Sequence, residues 1–335
     1  MKKLTALILA GIMVISLMGC SGKSTSESKG ASSIPASASA SSEEQAGGQE
    51  PVKGGTLIIA TAADAASMQP TEIRSPTNLY YASAIFESLL GFDEAGIPQP
   101  YLAESITEDV EGLTYTIELK KGIKFHDGTE LTADVCKWNI DHYKAEGILS
   151  SSFFSNLESV EVTGNYTVVL HLSKWDSTLP NALARECGYM ISQSAYEANP
   201  EGFGEHPVGT GPFQFESWEH GVGMSFTKFA DYWQGEPYLD GLKFVIYANQ
   251  LVSQAALQNG EVHIISPLDF NMTNDMASQG YPVYTIKVPQ SCYTICINCV
   301  NDDPLNNVKV RQAMAYAMDG EAILPVLFGD YAETT

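Results

Sequence analysis

Between Leu113 and Lys120 the side chains alternate: Leu113, Tyr115, Ile117 and Leu119 are apolar, while Thr114, Thr116, Glu118 and Lys120 are polar. A period of two puts each set on its own face of an extended chain, so the segment is predicted to be a half-buried strand. Residues 166–172 repeat the pattern through Val168, Leu170 and Leu172. Elsewhere the apolar period is helical. Leu79, Ala82, Phe86, Leu89 and Leu90 share one face, which predicts a helix at about 78–90 capped by Thr77 or Asn78. Val310, Ala313, Met314, Ala317 and Met318 outline another, with Asn306 or Asn307 as cap, and it reads as core scaffolding. Residues 55–60 form a short apolar run after a glycine pair, as a buried first strand would. A helix near 251–259 is closed by Gly260, a residue suited to the left-handed C-cap, and leads into an apolar strand at 262–265. Strands alternating with helices in this way predict an α/β fold with several sheets.

The first fifty residues follow a different rule. Lys2 and Lys3 precede an apolar run at 4–18, shorter than the roughly 20 residues of a spanning helix but the size of a secretory signal core. The run ends in Leu17-Met18-Gly19-Cys20, which resembles the bacterial lipobox. Residues 1–19 are therefore expected to be a lipoprotein signal peptide, with Cys20 lipidated and left as the new N-terminus. Residues 21–50 are mostly Ser, Ala, Gly, Glu and Gln, with Ile34 the only large aliphatic residue, and cannot repay the entropy of ordering. Residues 20–52 read as a lipid anchor and flexible tether, with a reach of roughly 5–6 Å times the square root of its length. That locates the protein on the cell membrane, outside the cytoplasm.

Composition narrows the function. The chain has 335 residues, 18 of them Lys or Arg against 40 Asp or Glu, for a net charge of −22. With 44% hydrophobic residues it can bury a substantial core. It supplies no basic patch for a phosphate backbone, so no nucleic-acid partner is expected.

The candidate chemistry is sparse. His126 beside Asp127 suggests general-base or metal work, but one pair with neither a third ligand nor a nucleophile nearby reads as structural. Asp127-Gly128 supplies a turn after which Thr132 can cap a helix. Gly209-Thr210-Gly211-Pro212 lacks the third glycine of a dinucleotide loop and the Lys-Ser/Thr of a P-loop, and reads as a tight turn into a strand. Cys292, Cys296 and Cys299 have the spacing of an iron–sulfur motif. In a strand, however, Cys292 and Cys296 would lie about 13 Å apart with Cys299 on the other face, so no cluster is expected. With Cys20 lipidated five cysteines remain, an odd number that defines no disulfide framework. Neighbouring carboxylates such as Glu108 with Asp109 or Asp302 with Asp303 read as solvated faces. Neither a Gly-x-Ser-x-Gly elbow nor a His-Glu-x-x-His motif occurs, so no catalytic residues, metal or cofactor are expected and the chain is read as a non-enzyme.

Three blocks carry a family resemblance. The first runs from Pro100-Tyr101-Leu102-Ala103-Glu104 through Lys121-Gly122-Ile123-Lys124-Phe125-His126-Asp127-Gly128-Thr129 to Leu131-Thr132-Ala133-Asp134-Val135. The second joins Gly209-Thr210-Gly211-Pro212-Phe213 to Asp231-Tyr232-Trp233 and Gly235. The third joins Tyr293 and Asn298 to Pro304-Leu305 and to Arg311-Gln312-Ala313. In this order they resemble the extracellular solute-binding proteins of family 5, the peptide-, dipeptide- and nickel-binding receptors of ABC importers.

The resemblance implies a periplasmic-binding-protein-like type II fold, multi-lobed, with mixed sheets and helices. Lobe I would take 53–91 and 195–289, a smaller inserted lobe 92–194, and lobe III would begin at 290. Since the chain stops at Thr335, the resemblance implies an incomplete C-terminal lobe and weaker ligand capture than in a full-length homologue. Cys136 and Cys187 fall in one lobe, either paired or as free buried thiols. By analogy the ligand wall includes Arg74, Ser75 and Thr77 after the first strand, Ser266 and Asp269 in the segment after Gly260-Glu261-Val262, and Tyr293 on the crossing strand. His263 stands where relatives carry Asp and is read as a satisfied core histidine in preference to a metal ligand. The implied function is a monomeric lipoprotein that captures peptides and delivers them to an ABC permease. The alternatives are a nickel-chelate, oligosaccharide or haem receptor on the same scaffold, or an anchored extracellular hydrolase.

Overall fold

The computed structural model describes residues 51–73, 76–147, 150–266, 270–284, 297–298 and 304–328. These lie within one compact unit, Pro51–Thr335. Strand β1 (Thr56–Thr61) opens the fold where the apolar run predicts it, and helix α1 (Pro76–Ile85) follows. This helix stops earlier than its apolar period predicts. The carbonyl of Ile85 takes the N–H of Gly211 at 2.7 Å, and Leu90 opens strand β2 (Leu90–Phe92), paired with β3 (Pro98–Pro100). Leu89 and Leu90 are therefore buried from non-helical backbone. Asn78 is not the cap: it lies inside α1, and its Nδ2 donates to the carbonyl of Ser67.

Strands β4 (Ala103–Asp109) and β5 (Thr114–Leu119) form a hairpin with Asp109 opposite Thr114. Leu113 is left out of the strand because its φ is 54°, in the left-handed region. Tyr115, Ile117 and Leu119 are buried, as their alternation predicts. Helix α2 (Ala133–Glu146) begins at Thr132, whose Oγ1 accepts the N–H of Val135. Strands β6 (Leu157–Gly164) and β7 (Thr167–Leu172) complete an antiparallel sheet in the order β4-β5-β7-β6. Two short helices, α3 (Leu179–Leu183) and α4 (Gln193–Ala198), return the chain.

Strands β8 (Phe213–Glu219), β9 (Gly223–Lys228) and β10 (Gly241–Ile246) follow, with β9 antiparallel to the other two. Helix α5 (Gln250–Gln258) is capped by Asn249, and just past its end Gly260 adopts φ +74°, the conformation the sequence predicts there. Of the strand expected at 262–265, only β11 (Ile264–Ile265) forms. The second sheet has the order β11-β1-β10-β9-β8, with β1 parallel to both its neighbours.

The last described elements are α6 (Phe270–Ser278), α7 (Val308–Ala317) and α8 (Gly320–Phe328). Asn307 caps α7 as expected, yet the helix is not core scaffolding. Met314 and Met318 at the end of its apolar face are exposed, and Tyr316 is 92% exposed. An apolar period specifies which face seeks cover; it does not supply the cover.

Each of the two larger sheets has a main core, and a third, smaller cluster holds Ala60, Ala256 and Val262. One main core gathers Leu89, Tyr115, Ile117, Ile140, Tyr143, Val168 and Leu170. The other gathers Met68, Tyr81, Ile85, Phe86, Phe203, Phe226 and Phe244. Tyr189 and Val208 pack against both.

Candidate functional site

Because β1 is parallel to β10 and β11, three strands deliver their carboxyl ends to the same edge of one sheet. Thr61 stands opposite Ile246, and Ala60 opposite Ile265. In open α/β sheets that edge is where ligands bind, because the loops leaving it can diverge around a crevice. Here those loops are the segment after Thr61, the segment 247–249 before α5, and the chain after β11, where Ser266 is exposed.

The loop after β1 is held by several anchors. Tyr81, fully buried on α1, donates its hydroxyl to the carbonyl of Ala63 and receives one from Thr61 Oγ1, both at 2.8 Å. Burial pushes the phenol above its ordinary pKa, so it remains a donor. Asp64 accepts the indole N–H of Trp218 at 2.9 Å and the backbone N–H of Gly221 at 2.7 Å, tying the loop to the β8–β9 turn. Met68 N–H donates to the carbonyl of Gly204. A wall fixed in this way loses little conformational freedom when a ligand arrives.

His263 is satisfied but not buried in the core. Its Nδ1 accepts the N–H of Ile58 at 3.0 Å, and its own N–H donates to the carbonyl of Ile58 at 2.8 Å. The residue is exposed, closing the sheet beside β11, and the Nδ1 lone pair is occupied.

At the opposite edge of the sheet, where β8 starts level with the amino ends of β1 and β10, a partly buried histidine and a buried carboxylate fix the turn at residues 209–212. The first is His126. Its backbone N–H donates to the carbonyl of Gly209, its Nε2–H to the carbonyl of Gly211 at 2.9 Å, and its Nδ1 accepts from Gly209 N–H. Burial lowers its pKa to about 4, a shift only partly offset by the bond to Gly211, so the ring is neutral. Asp127 accepts from Ser192, Ser194 and Thr129. Burial opposes its charge, but these bonds outweigh burial and hold the carboxyl below its usual range. A cavity of about 270 Å³ opens beside the pair, between His206 and Phe215.

The second group is Glu87, 5% exposed. Its Oε1 accepts from Tyr232 at 2.6 Å and Tyr101 at 3.0 Å; its Oε2 accepts from Thr210 and from the indole of Trp233, each at 2.9 Å. Burial raises its pKa despite four donors. Lys120 closes the arrangement from outside, its Nζ donating to the carbonyl of Tyr101 and lying 4.7 Å from the Trp233 ring centre. Glycine is needed at 209 and 211 because a Cβ at either would stand 2.2 or 2.6 Å from the carbonyl oxygen of Ile85. The turn, the end of α1, the start of the antiparallel sheet and residues 232–233 thus meet at a single carboxylate.

The residues proposed from the sequence fall unevenly on this geometry. Arg74, Ser75, Asp269 and Tyr293 lie outside the described residues, as do Cys20, Cys292, Cys296 and Cys299. Thr77 is in the first turn of α1, and Ser266 sits at the carboxyl edge. Cys136 and Cys187 are both buried and unpaired. Sequence reasoning missed Glu87, Tyr81 and Asp64. Only Glu87 carries a local signal, as a single carboxylate inside the apolar stretch Ile85-Phe86-Glu87-Ser88-Leu89-Leu90. Among the described residues no helix is long and apolar enough to cross a membrane.

Residues 98–335 match the family model for bacterial extracellular solute-binding proteins, family 5 Middle. The glutathione-binding protein GsiB of Escherichia coli O1:K1 is 30% identical over 279 residues, covering 82% of this chain and 54% of GsiB. The chain therefore spans about half the length of the curated relatives it matches. The oligopeptide-binding protein AppA of Bacillus subtilis, solved with a nonapeptide, superposes with a TM-score of 0.61 at 27% identity, covering 68% of this chain and 47% of AppA. NikZ of Campylobacter jejuni, solved with Ni(L-His), superposes with a TM-score of 0.68 at 26% identity, covering 84% and 56%. The fold is that of the type II periplasmic binding proteins, as the resemblance implied.

Proposed function

Because this chain belongs to the bacterial extracellular solute-binding proteins of family 5, we propose that it captures short peptides outside the cell for an ABC permease. The observation that carries the reading is the register of β11, β1 and β10, which brings three carboxyl ends to one edge behind a loop anchored by Tyr81 and Asp64. Peptide is favoured over a nickel chelate because the matched relatives include binding proteins for glutathione and for an oligopeptide. In this proposal Arg74, Ser75, Thr77, Ser266, Asp269 and Tyr293 line the wall, with Arg74 as a bidentate donor to a ligand carboxylate.

The lobe assignment is part of the proposal: 53–91 with 195–289 as lobe I, 92–194 as the smaller lobe, and lobe III from 290. The two largest buried clusters, one against each of the larger sheets, support the division between the first two. The lipobox-like Leu17-Met18-Gly19-Cys20 supports a tether through lipidated Cys20 after removal of residues 1–19, and in this proposal the protein is a monomer.

Thermal unfolding in the presence of glutathione, a tripeptide mixture and nickel–histidine tests the ligand. A ligand that binds only the folded state stabilises it by RT ln(1 + [L]/Kd), about 2.7 kcal/mol at a hundredfold excess over Kd. The expected result is a rise in Tm with a peptide. A rise with nickel–histidine alone overturns the peptide reading but leaves a receptor; no rise with any of the three overturns capture by this chain.

A further inference from the structure

Helix α2 touches both cores. Its Ala133, Cys136, Ile140 and Tyr143 belong to the core of the antiparallel sheet, while Trp138 packs against the core behind β1. His142 is 8% exposed. Its ring is stacked on Trp138 at 5.0 Å and 9°, and Tyr196 of α4 meets it edge-on at 4.6 Å. Tyr196 in turn meets Phe203, a member of the second core, at 5.6 Å. Trp138 and Tyr196 also meet directly at 5.4 Å, so His142 is one corner of an aromatic triangle that joins α2 to α4 and, through Phe203, reaches the second core.

The polar atoms of this histidine are poorly served. Nε2 is buried without a hydrogen-bond partner, and Nδ1 lies 3.7 Å from Glu146 Oε2, beyond hydrogen-bonding distance. The titratable groups around it are Glu146 and Tyr143 on its own helix, Tyr196 on α4, and Glu72, which acts on Tyr196 from the turn at Pro70–Glu72. Glu146 also accepts from the Tyr196 hydroxyl at 3.3 Å.

We propose that His142 is an acid-sensitive joint: its neutral ring holds α2 against α4, and its protonation loosens that contact. Protonation creates a second ring N–H and leaves Nε2–H without an acceptor in a place closed to water, where an unmet donor is costly. It also charges a ring that water does not reach. Glu146 attracts that charge, but its side chain is 59% exposed and its pull is screened. Burial therefore dominates and depresses the pKa of His142, with Glu146 opposing. For a base held neutral in the fold, the unfolded chain takes up protons first. The stabilisation is complete above about pH 6.5 and is lost as the pH falls toward the depressed folded-state value. The joint does not depend on the identity of the ligand.

The test uses the full chain. The imidazole resonances of His142, assigned by comparison with H142N, are titrated by NMR, and backbone hydrogen exchange is measured at about pH 7.5 and 5, with intrinsic rates corrected. The expected result is titration below the ordinary imidazole range, and exchange in 193–198 and the last turn of α2 that rises several-fold in acid beyond any rise in β5. H142F keeps the stack without a titrating group and removes the acid-dependent part. His126, a partly buried histidine also held neutral, reports on residues 209–211 and is thereby separated. Titration of His142 at or above 6.5 overturns the proposal. So does acid-enhanced exchange that persists unchanged in H142F; if that variant does not fold, the wild-type titration decides alone.

Discussion

Removing the Glu87 carboxylate should distinguish a buried junction from an incidental one. In Glu87→Ala four donors lose their acceptor together: the hydroxyls of Tyr101, Tyr232 and Thr210 and the indole N–H of Trp233. Hydroxyls can turn toward other acceptors, but the indole cannot. Truncating one member of a buried charged network costs about 3–5 kcal/mol, much of it from partners left unpaired. Glu87→Gln has nearly the same shape. Its carbonyl, placed where Oε2 stands, keeps Thr210 and Trp233. Its amide, placed where Oε1 stands, donates to the two tyrosine hydroxyls, which can accept. The loss expected for Gln is about 1 kcal/mol, near the net worth of one hydrogen bond.

Proton linkage supplies a second signature. Burial raises the Glu87 pKa, so the folded state keeps a proton that the unfolded chain gives up near pH 4.5. That contribution is fully present below the unfolded value and is lost as pH rises through the folded one. Gln mimics the protonated form, so the stability of Glu87→Gln relative to wild type should improve as pH rises across that window. Urea unfolding followed by tryptophan fluorescence at several pH values gives both quantities. Equal losses for Ala and Gln, or a loss under about 1 kcal/mol for Ala, would show that the network does not hold the junction.

Two further outcomes follow from the same packing. Gly211→Ala places a Cβ 2.6 Å from the carbonyl oxygen of Ile85 and should destabilise by about 1–3 kcal/mol, as overpacking does; a neutral result in the same unfolding assay contradicts the close approach. Burial pushes the thiols of Cys136 and Cys187 up to about 12, so alkylation mapped by mass spectrometry should leave both unmodified in the native chain and label both in denaturant. Native labelling at either position contradicts the buried thiol.

The strands that alternate, the caps at Thr132 and Asn307 and the glycine after α5 depend on neighbours within a few residues, so a sequence reads them well. Helix α1 shows where such reading fails. Its apolar period continues to Leu90, yet the helix ends at Ile85 because Gly211, far along the chain, meets that carbonyl. The same limit applied to the candidate site. Its family blocks were legible and His126 with Asp127 was rightly read as a turn, but the apolar stretch around Glu87 marks that carboxylate without naming its partners, and nothing marks Asp64 among forty acidic residues.

What the sequence determined by itself was the class of fold, the family and the places of several elements, since apolar period, capping and turn chemistry are local. Only the tertiary structure decided which carboxylate is buried, which histidine lacks a partner and which apolar face is uncovered. Burial and hydrogen bonding between distant segments set those outcomes, and the energy of a buried polar group depends on partners that no local pattern names.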